Sequence, residues 1–116
     1  MKSAMKQDIY VEINSYKGDI FDEINKLRDF ILEEDCPSLV VDIANLSIFD
    51  ATKVCVVSST YHFAKYPEGN ILWFVAEAEA RQVISSLKLK NIRTEIKIKT
   101  DKTIEYFDKK YKASFR

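Results

Sequence analysis

"LVVDIANLSIFDATKVCVV", Leu39 to Val57, changes its periodicity partway along. Its first part, with Ser38 as "SLVVDI", is short, apolar and β-branched, the pattern of a central strand buried on both faces. From Ala51 to about Lys65 the spacing is helical. Between the two lies "IFDATK", in which Asp50 is placed as the helix N-cap, Thr52 follows in the first turn and Lys53 is solvated. A strand feeding a loop and then a helix is one unit of an α/β sheet. In such sheets functional groups gather beyond the carboxyl ends of the strands. The loop from Asp42 to Asp50 is therefore the first place to look for function.

The same alternation extends in both directions. Upstream, "IYVEI" (Ile9 to Ile13) alternates apolar and polar residues as a half-exposed strand does, and Gly18 punctuates it. In "GDIFDEINKLRDFILEED", Ile20, Ile24, Leu27 and Ile31 form the apolar stripe of an amphipathic helix, with Asp19 as its N-cap. Cys36-Pro37 ends that helix, because a residue preceding proline is pushed out of the helical region. Downstream, "YPEGN" is a turn and "ILWFVA" a second apolar strand holding Trp73 and Phe74. "EAEARQVISSLKL" is a helix with Ala80, Val83, Ile84 and Leu87 inward. "RTEIKIK" alternates as an edge strand, and "DKTIEYFDKKYKASF" reads as a closing helix capped by Asp101. The order β-α-β-α-β-α-β-α predicts one α/β domain over residues 1–116, a sandwich with a mostly parallel central sheet of about four strands and four helices.

Composition narrows the function classes. The 116 residues are 47% hydrophobic and 31% charged, as expected of an ordered globular domain. With 18 basic and 18 acidic residues the formal charge is zero, so no overall field favours nucleic acid or an acidic membrane. The charge is nevertheless polarised: residues 1–50 carry eleven acids and five bases, and residues 88–116 carry four acids and ten bases. "MKSAMKQDIY" lacks the apolar core of a secretory peptide, and no run approaches the roughly 18 apolar residues of a membrane span. Cys36 and Cys55 match no metal spacing, and the single histidine, His62, completes no metal site. These features predict a cytoplasmic monomer with reduced structural thiols and neither metal nor cofactor. His62 is expected as an exposed or hydrogen-bonded helix residue rather than a catalytic base.

The central stretch also resembles a known family. Val40-Val41-Asp42-Ile43, then Asn45-Leu46, then Ile48-Phe49-Asp50 and Ala51-Thr52 are similar to the STAS domain of sulfate transporters and anti-sigma factor antagonists. "NILWFVAEAEARQVISSLKLKN" resembles the family's next strand and helix, so the likeness covers about Leu39 to Ile98. The family usually opens with two strands where one is found here. It commonly carries Asp-Ser-Ser-Gly or Asp-Ser-Thr-Gly where this chain has Asp50-Ala51-Thr52-Lys53. In antagonist members the second hydroxyl is phosphorylated by a cognate anti-sigma kinase, so the resemblance implies that role for Thr52 and a kinase-type anti-sigma factor as partner.

The residues themselves suggest how such a module acts. A phosphate near a helix N-terminus is tolerated by the domain, yet adds roughly −2 charge to a docking face. At 100° per residue, Val54, Val57, Tyr61 and Ala64 form one stripe of the helix, assigned to the core. Thr52, Val56, Ser59 and Phe63 fall on nearly the opposite side. The expected partner-binding set is Asp50, Lys53, Val56, Ser59 and Phe63, with Asp42 and Asn45 in the adjoining loop, and no catalysis. Two alternatives remain at this level: an enzyme or small-ligand binder using Asp42, Asn45 and Asp50, and a purely structural domain inside a larger complex.

Overall fold

The computed structural model describes residues 8–13 and 19–97 and the strand at 111–115. Five strands, β1 (Ile9–Ile13), β2 (Ser38–Asp42), β3 (Asn70–Val75), β4 (Ile92–Ile96) and β5 (Tyr111–Phe115), form one sheet in the order β4-β3-β2-β1-β5. Every neighbouring pair is parallel. Helices α1 (Ile20–Glu33), α2 (Ile48–Lys65) and α3 (Ala78–Ser86) connect the first four strands. The fold class is therefore the α/β arrangement that the alternating pattern predicts, with β2 in the middle of the sheet.

The chain steps one strand sideways at each crossover from β1 to β4. Right-handed crossovers that all step the same way lay their helices on the same side of the sheet. The core follows from this. Val11, Ile13, Leu39, Val41, Ile43, Ile71, Trp73 and Val75 point to the helical side, where they meet Ile24, Leu27, Ile31, Val54, Ala80 and Ile84. Alternate strand positions face the other way. There Tyr10, Val40 and Leu72 form a second, smaller apolar cluster with Phe74 against it.

Three sequence expectations need correction. Tyr111–Phe115 is a strand, not the end of a helix, and it pairs with β1 from Ile9↔Tyr111 to Ile13↔Phe115. Its Tyr111, Ala113 and Phe115 alternate with Lys112 and Ser114, the period of two that a sheet selects. The rest of the predicted closing helix, 101–110, and Gly18 lie outside the described residues. Because β5 covers the outer edge of β1, β1 is mostly buried instead of half exposed. In α3, Ala80 and Ile84 are buried as expected, but Val83 and Leu87 are exposed on its solvent side.

The turns are held by specific contacts. Asp19 caps α1 as expected, accepting the Phe21 N–H at 2.9 Å. At the other end of α1, carbonyl oxygens that lack helical partners are met from another helix. Lys65, the last residue of α2, donates to the carbonyls of Ile31, Leu32 and Glu34 at 2.8, 2.9 and 2.7 Å. The Tyr66 hydroxyl donates to Glu34 O and accepts the Cys36 N–H. Gly69 completes the turn into β3: a Cβ there would sit 2.4 Å from the Pro37 carbonyl oxygen.

Candidate functional site

Asp42, at the carboxyl end of β2, turns to the face away from the helices and is only 1% exposed. Its Oδ2 accepts the Tyr10 hydroxyl at 2.9 Å and the Lys97 ammonium at 2.5 Å, and its Oδ1 accepts the Ala44 N–H at 2.9 Å. Burial, and next the charge of Asp42, push the Tyr10 phenol far above its ordinary value, so it stays a neutral donor. This cluster ties the end of β4 to β2 and β1 across Phe74. Both carboxylate oxygens are engaged, which makes Asp42 an internal anchor of the sheet.

Asn45 is exposed in the following turn, closed by Leu46 N–H to Ile43 O at 3.1 Å. Asp50 lies in the first turn of α2, within the helical layer. The two carboxylates thus belong to opposite sides of the sheet, and the pair needed for acid–base or magnesium chemistry is not assembled. No group of three or more His, Cys, Asp or Glu side chains placed to hold a metal occurs among the described residues. No helix among them is long and apolar enough to cross a membrane.

The start of α2 differs from expectation. Its N-cap is Ser47, not Asp50: the backbone there is extended, and the hydroxyl accepts the Asp50 N–H at 3.1 Å. Ser47 and Asp50 have the spacing of a capping box, and an acid in the first turn complements the positive end of the helix. Starting three residues earlier moves Thr52 into the second turn. Its hydroxyl donates to the Ile48 carbonyl at 2.7 Å and is half-buried, so it does not lie among unpaired helix amides.

The helix is also rotated relative to the expected stripe. Its buried side is Ala51, Val54, Cys55, Ser58, Ser59 and His62. Val57 is half-buried, Tyr61 is 37% exposed and Ala64 is exposed. Two polar residues of α2, Ser59 and His62, find partners inside. Ser59 Oγ accepts the Trp73 Nε1–H at 3.0 Å, and His62 Nε2 lies 2.8 Å from the Cys36 carbonyl, which makes it the protonated nitrogen. Burial lowers the His62 pKa and keeps the ring neutral. Burial likewise pushes the Cys55 thiol up to about 12 and raises that of Cys36; both thiols are free and buried.

Of the residues expected to bind a partner, Ser59 therefore belongs to the core and is not available. Lys53 and Val56 do face solvent, Asp50 and Phe63 are half-buried, and Phe63 lies well down the helix. The structure adds two residues the sequence reading passed over. Phe49, in the first turn of α2, is 76% exposed, and Phe21, at the start of α1, is 52% exposed. Lys53, one turn after Phe49, holds its Nζ 5.9 Å from the centre of the Phe21 ring. Phe21, Lys53, Phe49 and Val56 together give the heads of α1 and α2 an aromatic and apolar surface. No protein-family model, curated protein or solved structure matches the chain.

Proposed function

We propose that this domain is a small cytoplasmic module for protein recognition, of the STAS-like, anti-sigma factor antagonist type, which carries out no reaction. The observation that carries this reading is the exposure of Phe49 beside Phe21. Large aromatic side chains held on rigid helices, with little left to bury them, are the anchors that protein interfaces use. The positions Phe49, Lys53 and Val56 fall on one face of α2 at spacings of four and three. A fitting partner offers an apolar cleft for the two rings and an acidic group for Lys53, as a kinase-type anti-sigma factor or another signalling protein would.

Thr52 is the switch in this proposal. Phosphorylation would require its hydroxyl to leave the Ile48 carbonyl and would set roughly −2 charge within the turn that links Phe49 to Val56. That charge opposes an acidic partner and desolvates poorly against an apolar one. The test uses wild-type protein and the Phe49→Ser variant as paired baits, with the fold of each verified by circular dichroism. A protein retained by wild type and lost with the variant supports the reading. Equal retention by both baits refutes it. Incubation of the captured partner with ATP then reports on the switch: incorporation of phosphate into wild type but not Thr52→Ala supports it, and none in either removes it.

A further inference from the structure

Among the described residues β4 has a neighbouring strand on one side only, so part of its backbone faces outward. The ladder to β3 fixes which part. The Asn91 carbonyl accepts the Ile71 N–H at 3.0 Å, and the Lys97 N–H donates to the Val75 carbonyl at 2.8 Å. Backbone direction alternates along a strand, so Arg93 and Glu95 also turn their amides and carbonyls to β3. Ile92, Thr94 and Ile96 turn theirs to the open edge.

The side chains alternate as well. Ile92 and Ile96 pack half-buried against the core on the helical face, and the buried Thr94 hydroxyl lies 3.0 Å from that of Ser85 on α3. Arg93 and Glu95 are exposed on the other face, in register with Leu72 and Phe74. Neither forms an ion pair among the described residues. β4 holds no proline or glycine, and its regular pairing from Ile71↔Ile92 to Val75↔Ile96 leaves no bulge. The devices that keep an edge strand from pairing are thus reduced to two opposite charges.

The sequence Ile92-Arg93-Thr94-Glu95-Ile96 is its own complement when reversed. We infer that β4 pairs antiparallel with β4 of a second copy of this chain, about a two-fold axis at Thr94, and joins two sheets into one. In that register Ile92 faces Ile96 of the second copy, Thr94 faces its own equivalent, and Arg93 faces Glu95 on both sides of the axis. The outward-facing residues fall in the hydrogen-bonded positions. The charged pairs fall between them, where opposite side chains are nearest. Sliding to either neighbouring register that keeps the hydrogen bonds sets Arg93 against Arg93 or Glu95 against Glu95, so charge selects one register. A two-fold contact of this kind closes on itself and does not grow. A charged edge also discourages promiscuous pairing, but that role places no demand on the order of the charges. The edge shares no residue with the aromatic surface of α1 and α2. A five-residue strand pair is smaller than a standard interface, so the dimer is weak and concentration-dependent, where the sequence alone predicts a monomer.

The experiment is analytical ultracentrifugation of the full chain from about 5 µM to about 1 mM, with amide hydrogen exchange at both ends of that range. Wild type is expected to pass from monomer to dimer, and the amides of Ile92, Thr94 and Ile96 to exchange more slowly as concentration rises. Those of Arg93 and Glu95, already turned to β3, change far less. Arg93→Glu and Glu95→Arg, at exposed positions and with folding verified by circular dichroism, each set like charges against each other at both pairs. Each is expected to weaken self-association on the order of tenfold or more. An equimolar mixture of the two variants restores opposite charges at every pair and is expected to dimerise at least as well as wild type. A monomer throughout the range, assembly beyond the dimer, dimerisation unaffected by either variant, or a mixture that stays monomeric would overturn the inference.

Discussion

The hydroxyl of Ser58 is fully buried and has no hydrogen-bond partner among the described residues. A buried polar group left unpaired costs free energy, so Ser58→Ala is expected to be at least as stable as wild type, by up to about 1 kcal/mol, in urea unfolding. A clear destabilisation would mean that the hydroxyl is paired in solution. Its neighbour on the same side, His62, predicts a pH dependence. Burial holds its folded pKa below the ordinary 6.5. As pH falls through 6.5 the unfolded chain takes up a proton that the folded one refuses, so stability declines on the acid side. His62→Gln keeps a donor for Cys36 O and removes the titration. Melting temperatures at about pH 7.5 and about pH 5 should therefore diverge more for wild type than for the variant. Neither partner was legible locally, because His62 meets a carbonyl 26 residues away and Trp73 meets Ser59 across fourteen.

At the scale of elements, α1 could be read almost residue by residue and α2 could not. In α1 the apolar stripe and the burial agree: Ile20, Ile24, Leu27 and Ile31 are buried, and the one polar residue buried with them, Glu23, is paired with Lys26 at 3.4 Å. In α2 two serines and a histidine are inside while Tyr61 and Phe49 are outside, so a stripe drawn from apolar residues alone pointed the wrong way. The helix start was missed for a related reason: Asp50 and Ser47 are both good caps, and the hydroxyl three residues ahead of the Asp50 amide took the position. The long-range cap on α1 has a direct test. Lys65→Met keeps the stem and removes the donors to three carbonyls, and is expected to cost about 1–2 kcal/mol. The loss should appear in hydrogen exchange as earlier opening of the last turn of α1, including the Glu34 amide that bonds Phe30 O.

For the whole molecule, the sequence order already implied a parallel α/β sheet, and the all-parallel pairing realises it. What it did not carry was β5. Tyr111 to Phe115 alternates with period two, but the neighbouring aromatics and lysines also fit a helix, and only pairing with β1 decides between them. The direction of the crossovers then determines which side chains share a face at this scale. With α1 and α2 side by side on one face, Phe21 and Phe49 lie at the same end of the layer, and Lys53 reaches across to the Phe21 ring. Asp42, on the opposite face, is drawn into the Tyr10–Lys97 cluster and away from Asp50. The proposed recognition through the helix heads rests on the exposed ring of Phe49. Its most direct test is the affinity of the purified partner for wild type and for folded Phe49→Ser, measured by calorimetry. An anchoring ring predicts a loss on the order of tenfold to a hundredfold. An unchanged affinity would contradict the claim.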